Sequence, residues 1–123
     1  MIELSDGYFI PGNVPSLKNS KQWTGRRLIK SKTCVEYEKL YSNFYSTAKL
    51  KNMFQNIEKP IKLGMYFIRK SKHKFDYINV AQEPLDLLVK SGIIVDDNAD
   101  EIIPIFLGYH NDKENPGMII KIL

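Results

Sequence analysis

A chain of 123 residues with 43% hydrophobic, 26% charged and 11% aromatic residues has the length and composition of one soluble globular domain with a modest core. No apolar run approaches the ~20 residues of a membrane span, and the N-terminus lacks the order of a secretory signal, so the chain reads as intracellular. The single cysteine, Cys34, excludes a disulfide scaffold and a thiolate zinc finger, and reads as structural; the net charge of +4 allows an anionic partner.

Charge is unevenly placed along the chain. Residues 1–75 carry fifteen basic and five acidic groups, a net of +10, whereas residues 76–123 carry three basic and nine acidic groups, a net of −6.

In chain order, Gly7 to Gly12 is a short apolar run bracketed by Gly and Pro, which predicts a strand and a turn. Residues 13–32 form a long polar loop holding Lys18, Lys21, Arg26, Arg27, Lys30 and Lys32 with Asn19 and Trp23. A loop of that length is functional or disordered. Contact with DNA phosphates is the favoured reading, because the run is long and poor in acids; a solvated basic face is the alternative. The Gly12 to Asn19 stretch fails as a phosphate-binding P-loop, with Leu17 and Asn19 at positions that need Gly and Ser or Thr.

From about Thr33 the pattern turns helical: Tyr37, Tyr41, Phe44 and Ala48 share one stripe, and Thr33 with Glu36 reads as a capping box. The aromatic stripe is assigned to core packing. Residues 61–68 alternate Ile61, Leu63, Met65 and Phe67 against Lys62, Gly64, Tyr66 and Ile68, a strand with one buried face. Arg69 to Lys74 then places five basic residues in six.

A second helix is expected over about Val80 to Ser91, ended by Gly92. Pro84 belongs in a first turn, which leaves either a start near Glu83 or an irregular first turn. Glu83 accordingly reads as an exposed first-turn acid. Ile93 to Val95 predicts a short buried strand, Ile102 to Tyr109 an edge or bulged strand because of Pro104, and Met118 to Leu123 a last strand. The fold class expected is α+β, a small mixed sheet flanked by two helices in a single domain over residues 1–123.

Two acidic features could carry chemistry. Asp76 follows the basic run directly, and Asp96 to Glu101 places four acids in six residues. Crowded carboxylates repel unless a cation neutralises them, so this is a reasonable Mg²⁺ site; a polar turn is the plain alternative. Basic groups to hold a phosphate backbone and a metal to activate the attacking water are the two parts that phosphodiester hydrolysis needs.

Three segments together resemble the RusA-type Holliday-junction resolvases, small dimeric endonucleases of phage and prophage origin. Gly12-Asn13-Val14-Pro15-Ser16-Leu17-Lys18-Asn19 is similar to the family's G-x-x-P-x-x-K-N opening, and Phe75-Asp76-Tyr77-Ile78-Asn79 to its R-D-x-D-N segment. Leu85 to Asp97 resembles its D-A-L helix, glycine, apolar strand and D-D pair, and the 21-residue step from Asp76 to Asp97 fits without a gap.

The resemblance implies a cytoplasmic homodimer that resolves four-way junctions with Mg²⁺ (or Mn²⁺) in recombination and repair, leaving 5′-phosphate and 3′-hydroxyl ends. It implies Asp76 and Asp97, with Asp96 beside them, as the catalytic acids; Asn79 and Asp100, close to them in sequence, could assist at the metal. Lys18, Asn19, Lys21, Arg26, Arg27, Arg69, Lys70, Lys72 and Lys74 would contact DNA. Two departures stand out: Ile78 occupies the place of the family's second aspartate and Gln82 that of its lysine. They leave a second reading, a junction-binding protein that has lost cleavage.

Overall fold

The computed structural model describes residues 6–16, 21–23 and 28–123. Its main sheet contains β1 (Tyr8–Pro11), β4 (Ile61–Arg69), β5 (Ile102–Asn111) and β6 (Gly117–Ile122) in the order β1-β6-β4-β5. Strands β2 (Lys21–Trp23) and β3 (Leu28–Lys30) form a separate antiparallel pair within the region expected to be loop. Three helices complete the chain: α1 (Lys32–Tyr41), α2 (Ala48–Met53) and α3 (Tyr77–Lys90), with a 3₁₀ turn at Ser42–Tyr45. The architecture is α+β with a four-stranded mixed sheet, one helix more than expected. No helix among the described residues is long and apolar enough to cross a membrane.

The two-residue alternation of β4 holds for its inward set, while Gly64 and Ile68 of the opposite set are buried as well. Ile61, Leu63, Met65 and Phe67 are all buried, and β4 lies between antiparallel β6 and parallel β5. Beside them the core takes Ile10, Met118 and Ile120 from β1 and β6, and Val80, Leu85 and Leu88 from α3. Pairing β4 parallel to β5 obliges the chain to return to the starting end of β4, and α3 makes that crossover. Strand β5 lies at the sheet edge, where Pro104 leaves no neighbour short of an N–H, and it bulges at Leu107, between Phe106 opposite Met65 and Gly108 opposite Tyr66.

Four local expectations are corrected. Ser31, not Thr33, caps α1, accepting from the Cys34 amide at 3.4 Å, so the expected capping box lies two residues too late. The helical stretch also breaks into α1, the 3₁₀ turn and α2; the break rotates the aromatic stripe, so that Tyr45 is buried while Phe44 and Ala48 are exposed. Thr47 caps α2, its hydroxyl accepting from the Leu50 amide. Pro84 sits mid-helix rather than in a first turn, because α3 starts at Tyr77. Packing of Val80, Ala81, Leu85, Leu87 and Leu88 outweighs the hydrogen bond that proline removes. Ile93 to Val95 forms bends instead of a strand; the Ile93 and Ile94 amides turn back to the Leu88 carbonyl around Gly92, whose φ of 78° ends α3.

Tyrosines join the helical layer to the sheet. The Tyr8 hydroxyl donates to the Phe44 carbonyl at 2.8 Å and contacts Thr47 Oγ1, while the Tyr37 and Tyr45 hydroxyls meet at 2.7 Å in the core. Burial pushes the phenols of Tyr37 and Tyr45 well above the usual tyrosine range.

Two predictions follow from this packing. Ser31→Ala should cost about 1 kcal/mol in urea unfolding, whereas Thr33→Ala should stay within about 0.5 kcal/mol. The folded chain resists deprotonation of Tyr37 and Tyr45 and the unfolded chain does not, so their contribution is complete below pH 10 and falls as pH rises above it. Unfolding free energy measured from pH 9 to 11.5 should decline above 10, by at most about 1.4 kcal/mol per pH unit for each phenol, and Tyr37→Phe should flatten the decline.

Candidate functional site

Arg69 is the last residue of β4, and the chain from Lys70 to Asp76 must turn there to reach α3. Main-chain groups shape the turn: the Lys70 amide donates to Asn13 Oδ1 at 2.9 Å, Asn111 Nδ2 to the Ser71 carbonyl at 2.6 Å, and the Asp112 amide to the Arg69 carbonyl at 2.9 Å. The side chains of Lys70, Lys72, His73 and Lys74 remain exposed. Arg69 differs from them. It is half-buried, its Nη1 donates to the Val14 carbonyl at 2.5 Å, and its guanidinium lies 4.8 Å from the centre of the Phe75 ring. Burial lowers its pKa, but a guanidinium keeps its charge at any physiological pH.

This turn borders a cleft of about 420 Å³ between Asn13 and Ser16 on one side and Arg69, His73, Lys74, Asp76 and Asn79 on the other. Asp76 is the N-cap residue of α3, yet its side chain makes no capping hydrogen bond; Asp76 Oδ2 accepts from Asn79 Nδ2 at 3.2 Å. The amide end of the helix also faces this region, adding positive potential to that of the cationic side chains. One carboxylate, two side-chain amides and the cations Arg69 and Lys74 therefore share a cleft wide enough for a phosphate group. An exposed Asp and an Asn oxygen are donors suited to a hard cation such as Mg²⁺, which often takes one or two carboxylates and completes its shell with water and substrate phosphate.

An aromatic cavity of about 380 Å³ adjoins the basic turn and also reaches Asp76. Phe106 and Tyr109 of β5 are 41% and 53% exposed there. Phe75 meets Tyr109 edge-on at 5.0 Å, and Tyr77 meets Phe106 at 4.6 Å. Sequence reasoning missed this surface. Its only available signal was the edge character of β5, since the rings come from opposite ends of the crossover.

The second acidic group lies elsewhere. Asp96 Oδ1 accepts from the Asp97 amide at 2.8 Å and Oδ2 from Asn98 Nδ2 at 3.2 Å, which holds the Asp96 carboxyl below the usual carboxylate range. The Asn98 carbonyl accepts from the Glu101 and Ile102 amides, and the Glu101 carbonyl accepts from the Ile61 amide at 2.9 Å. Asp96, Asp97 and Asp100 are thus held beside the first residues of β4 and β5, exposed, in a turn further tied down by the Lys59–Glu101 ion pair at 2.6 Å.

Asp76 stands at the other end of the crossover. Fourteen residues of α3 separate the two groups, about 20 Å of helix at 1.5 Å per residue. Neither described cleft that Asp76 lines includes Asp96, Asp97 or Asp100. Three metal-type donors do meet among the described residues, but these are Cys34, Glu38 and Glu83. Glu83, expected to be exposed, is fully buried.

Of the remaining site residues, Ile78 is 70% exposed and Gln82 is also exposed, one turn apart on the solvent side of α3. Lys18, Asn19, Arg26 and Arg27 lie outside the described residues, and Lys21 falls in β2. The sequence matches no family model and no curated protein.

Arg69→Ala should cost about 1–3 kcal/mol of stability, because it strips the Val14 carbonyl of its donor and the Phe75 ring of its cation. Lys72→Ala, on the exposed turn, should change urea unfolding by less than about 0.5 kcal/mol.

Proposed function

We propose that the protein is a homodimeric, Mg²⁺-dependent endodeoxyribonuclease acting on four-way junctions and other branched DNA, as the resemblance to RusA-type resolvases implies. The observation that carries the reading is the position of Asp76: an exposed carboxylate inside a cationic, phosphate-sized cleft at the N-terminus of α3. Among the described residues lining the cleft, Asp76 is the acid, set beside Arg69 and Lys74.

Each active site in this proposal is composite. A single chain holds Asp76 and Asp97 at opposite ends of α3, so one site takes Asp76 and Asn79 from one copy and Asp97, Asp96 and Asp100 from the other. A two-fold axis that brings one end of α3 against the other end of its mate creates two such sites at once, matching the two opposed cuts that a four-way junction requires. Asp76 and Asn79 of one copy with Asp96, Asp97 and Asp100 of the other would hold Mg²⁺, which would supply Lewis acidity at the phosphate and lower the pKa of water. Arg69, Lys72 and Lys74 hold the flanking phosphates, and the Arg69 fork, fixed over Phe75, sets the backbone register.

A second reading is a junction-binding protein without cleavage. It is favoured by the exposed Ile78 and Gln82, which put no charge where the family carries an acid and a lysine.

Complementation separates these readings. Asp76→Asn and Asp97→Asn proteins should each bind a labelled four-way junction, with affinity falling as salt rises, and should each fail to cut it in Mg²⁺ or Mn²⁺. Mixed heterodimers of the two should recover a single nick per junction, because one of the two composite sites is then intact. No recovery, with active wild type, would place both acids in one chain's site. Binding without product from the wild type would establish the non-cleaving reading.

A further inference from the structure

Sequence reading denies Cys34 a thiolate cage because there is no second cysteine, but the folded chain surrounds it with carboxylates. Cys34 and Glu38 lie four residues apart on one face of α1, and Glu83 approaches them from the middle of α3. One donor atom from each lies within 4.8 Å of the others. Cys34 Sγ is 3.8 Å from Glu38 Oε2 and is hydrogen-bonded to Glu83 Oε2. Cys34 and Glu83 are inaccessible to solvent, and the Glu38 side chain is 20% exposed.

We propose that Cys34, Glu38 and Glu83 bind one divalent transition-metal ion of the Zn²⁺ class, pinning α1 to α3. A thiolate and a carboxylate on a tetrahedral Zn²⁺ stand about 3.6 Å apart, from bonds of about 2.3 and 2.1 Å. The Cys34–Glu38 separation is already close to that value. Lys90 Nζ lies 3.3 Å from Glu38 Oε1, at the edge of the group.

An entry route exists as well. A cavity of about 370 Å³ is lined by Glu38, Ser42, Leu87 and Lys90, so it reaches the site at Glu38, its one accessible ligand. Binding replaces the Cys34 S–H bond with a sulfur–metal bond and releases that proton to solvent, so affinity rises with pH; no electron is transferred. Thiolate ligation disfavours Mg²⁺, which separates this site from the one at Asp76.

Co²⁺ titration of the reduced, full-length protein tests the assignment, because sulfur-to-cobalt charge transfer reports thiolate ligation directly. The expected result is one equivalent per chain with a near-ultraviolet charge-transfer band, displaced by one equivalent of Zn²⁺ and unaffected by excess Mg²⁺. Cys34→Ser should abolish the band. Glu38→Gln, at the accessible edge, should weaken binding about a hundredfold or more, beyond the loss typical of an outer-shell contact. Asp76→Asn should leave the band intact whatever becomes of DNA cleavage. Absence of the band in folded wild type, its survival in Cys34→Ser, or its loss in Asp76→Asn would overturn the proposal.

Discussion

Parallel pairing of β4 with β5 is the constraint from which the functional geometry follows. Two strands can run parallel only if the chain between them travels back the length of the sheet, and α3 does so as a single helix. The turn entering α3 and the turn leaving it are thereby placed at opposite ends of the molecule. The first carries the basic run and Asp76, and the second carries Asp96 to Glu101. The basic run and the acidic turn are thereby held apart, although Lys59 pairs with Glu101 at the acidic end.

The same crossover sets what the helix buries. Its inward face supplies Val80, Ala81, Leu85 and Leu88 to the core, but it also carries Glu83 against Cys34 of α1. A carboxylate in that position needs hydrogen-bonding or charged company. Cys34 bonds to it, and Glu38 with its partner Lys90 stands beside Cys34. Polar specification of this kind fixes how α1 docks on α3 more narrowly than apolar packing alone would.

Separation of Asp76 from Asp97 bears on the family resemblance. The three motifs are short and the wider sequence matches no family model, so the resemblance rests on which residues recur and on their spacing. Spacing along the chain is equally compatible with a site inside one chain and a site between two. A 14-residue helix standing between the acids is the reason the proposed site draws on a second copy.

Much of the secondary structure was legible because its causes are local. The alternation from Ile61 to Phe67, the glycine that ends α3 and the edge character imposed by Pro104 each depend on residues within a few positions of one another. Misreadings arose where local signals competed. Thr33 and Glu36 offered a good capping box, but Ser31 caps the helix earlier; Ile93 to Val95 has strand propensity but turns back on Leu88; Pro84 marks a helix start, yet core packing on both sides of it carries α3 through.

The candidate site divides in the same way. By itself the sequence determined that basic and acidic groups are segregated, that Asp76 adjoins the cations, and that β4 is a core strand, because covalent neighbours cannot be separated by folding. Only the tertiary structure decided that Asp76 and Asp97 lie apart, that Phe106 and Tyr109 flank the basic turn, and that Glu83 meets Cys34 across 49 positions. Those relations depend on the direction of β5 and on which face of α3 is buried, and both are settled by packing the whole chain at once.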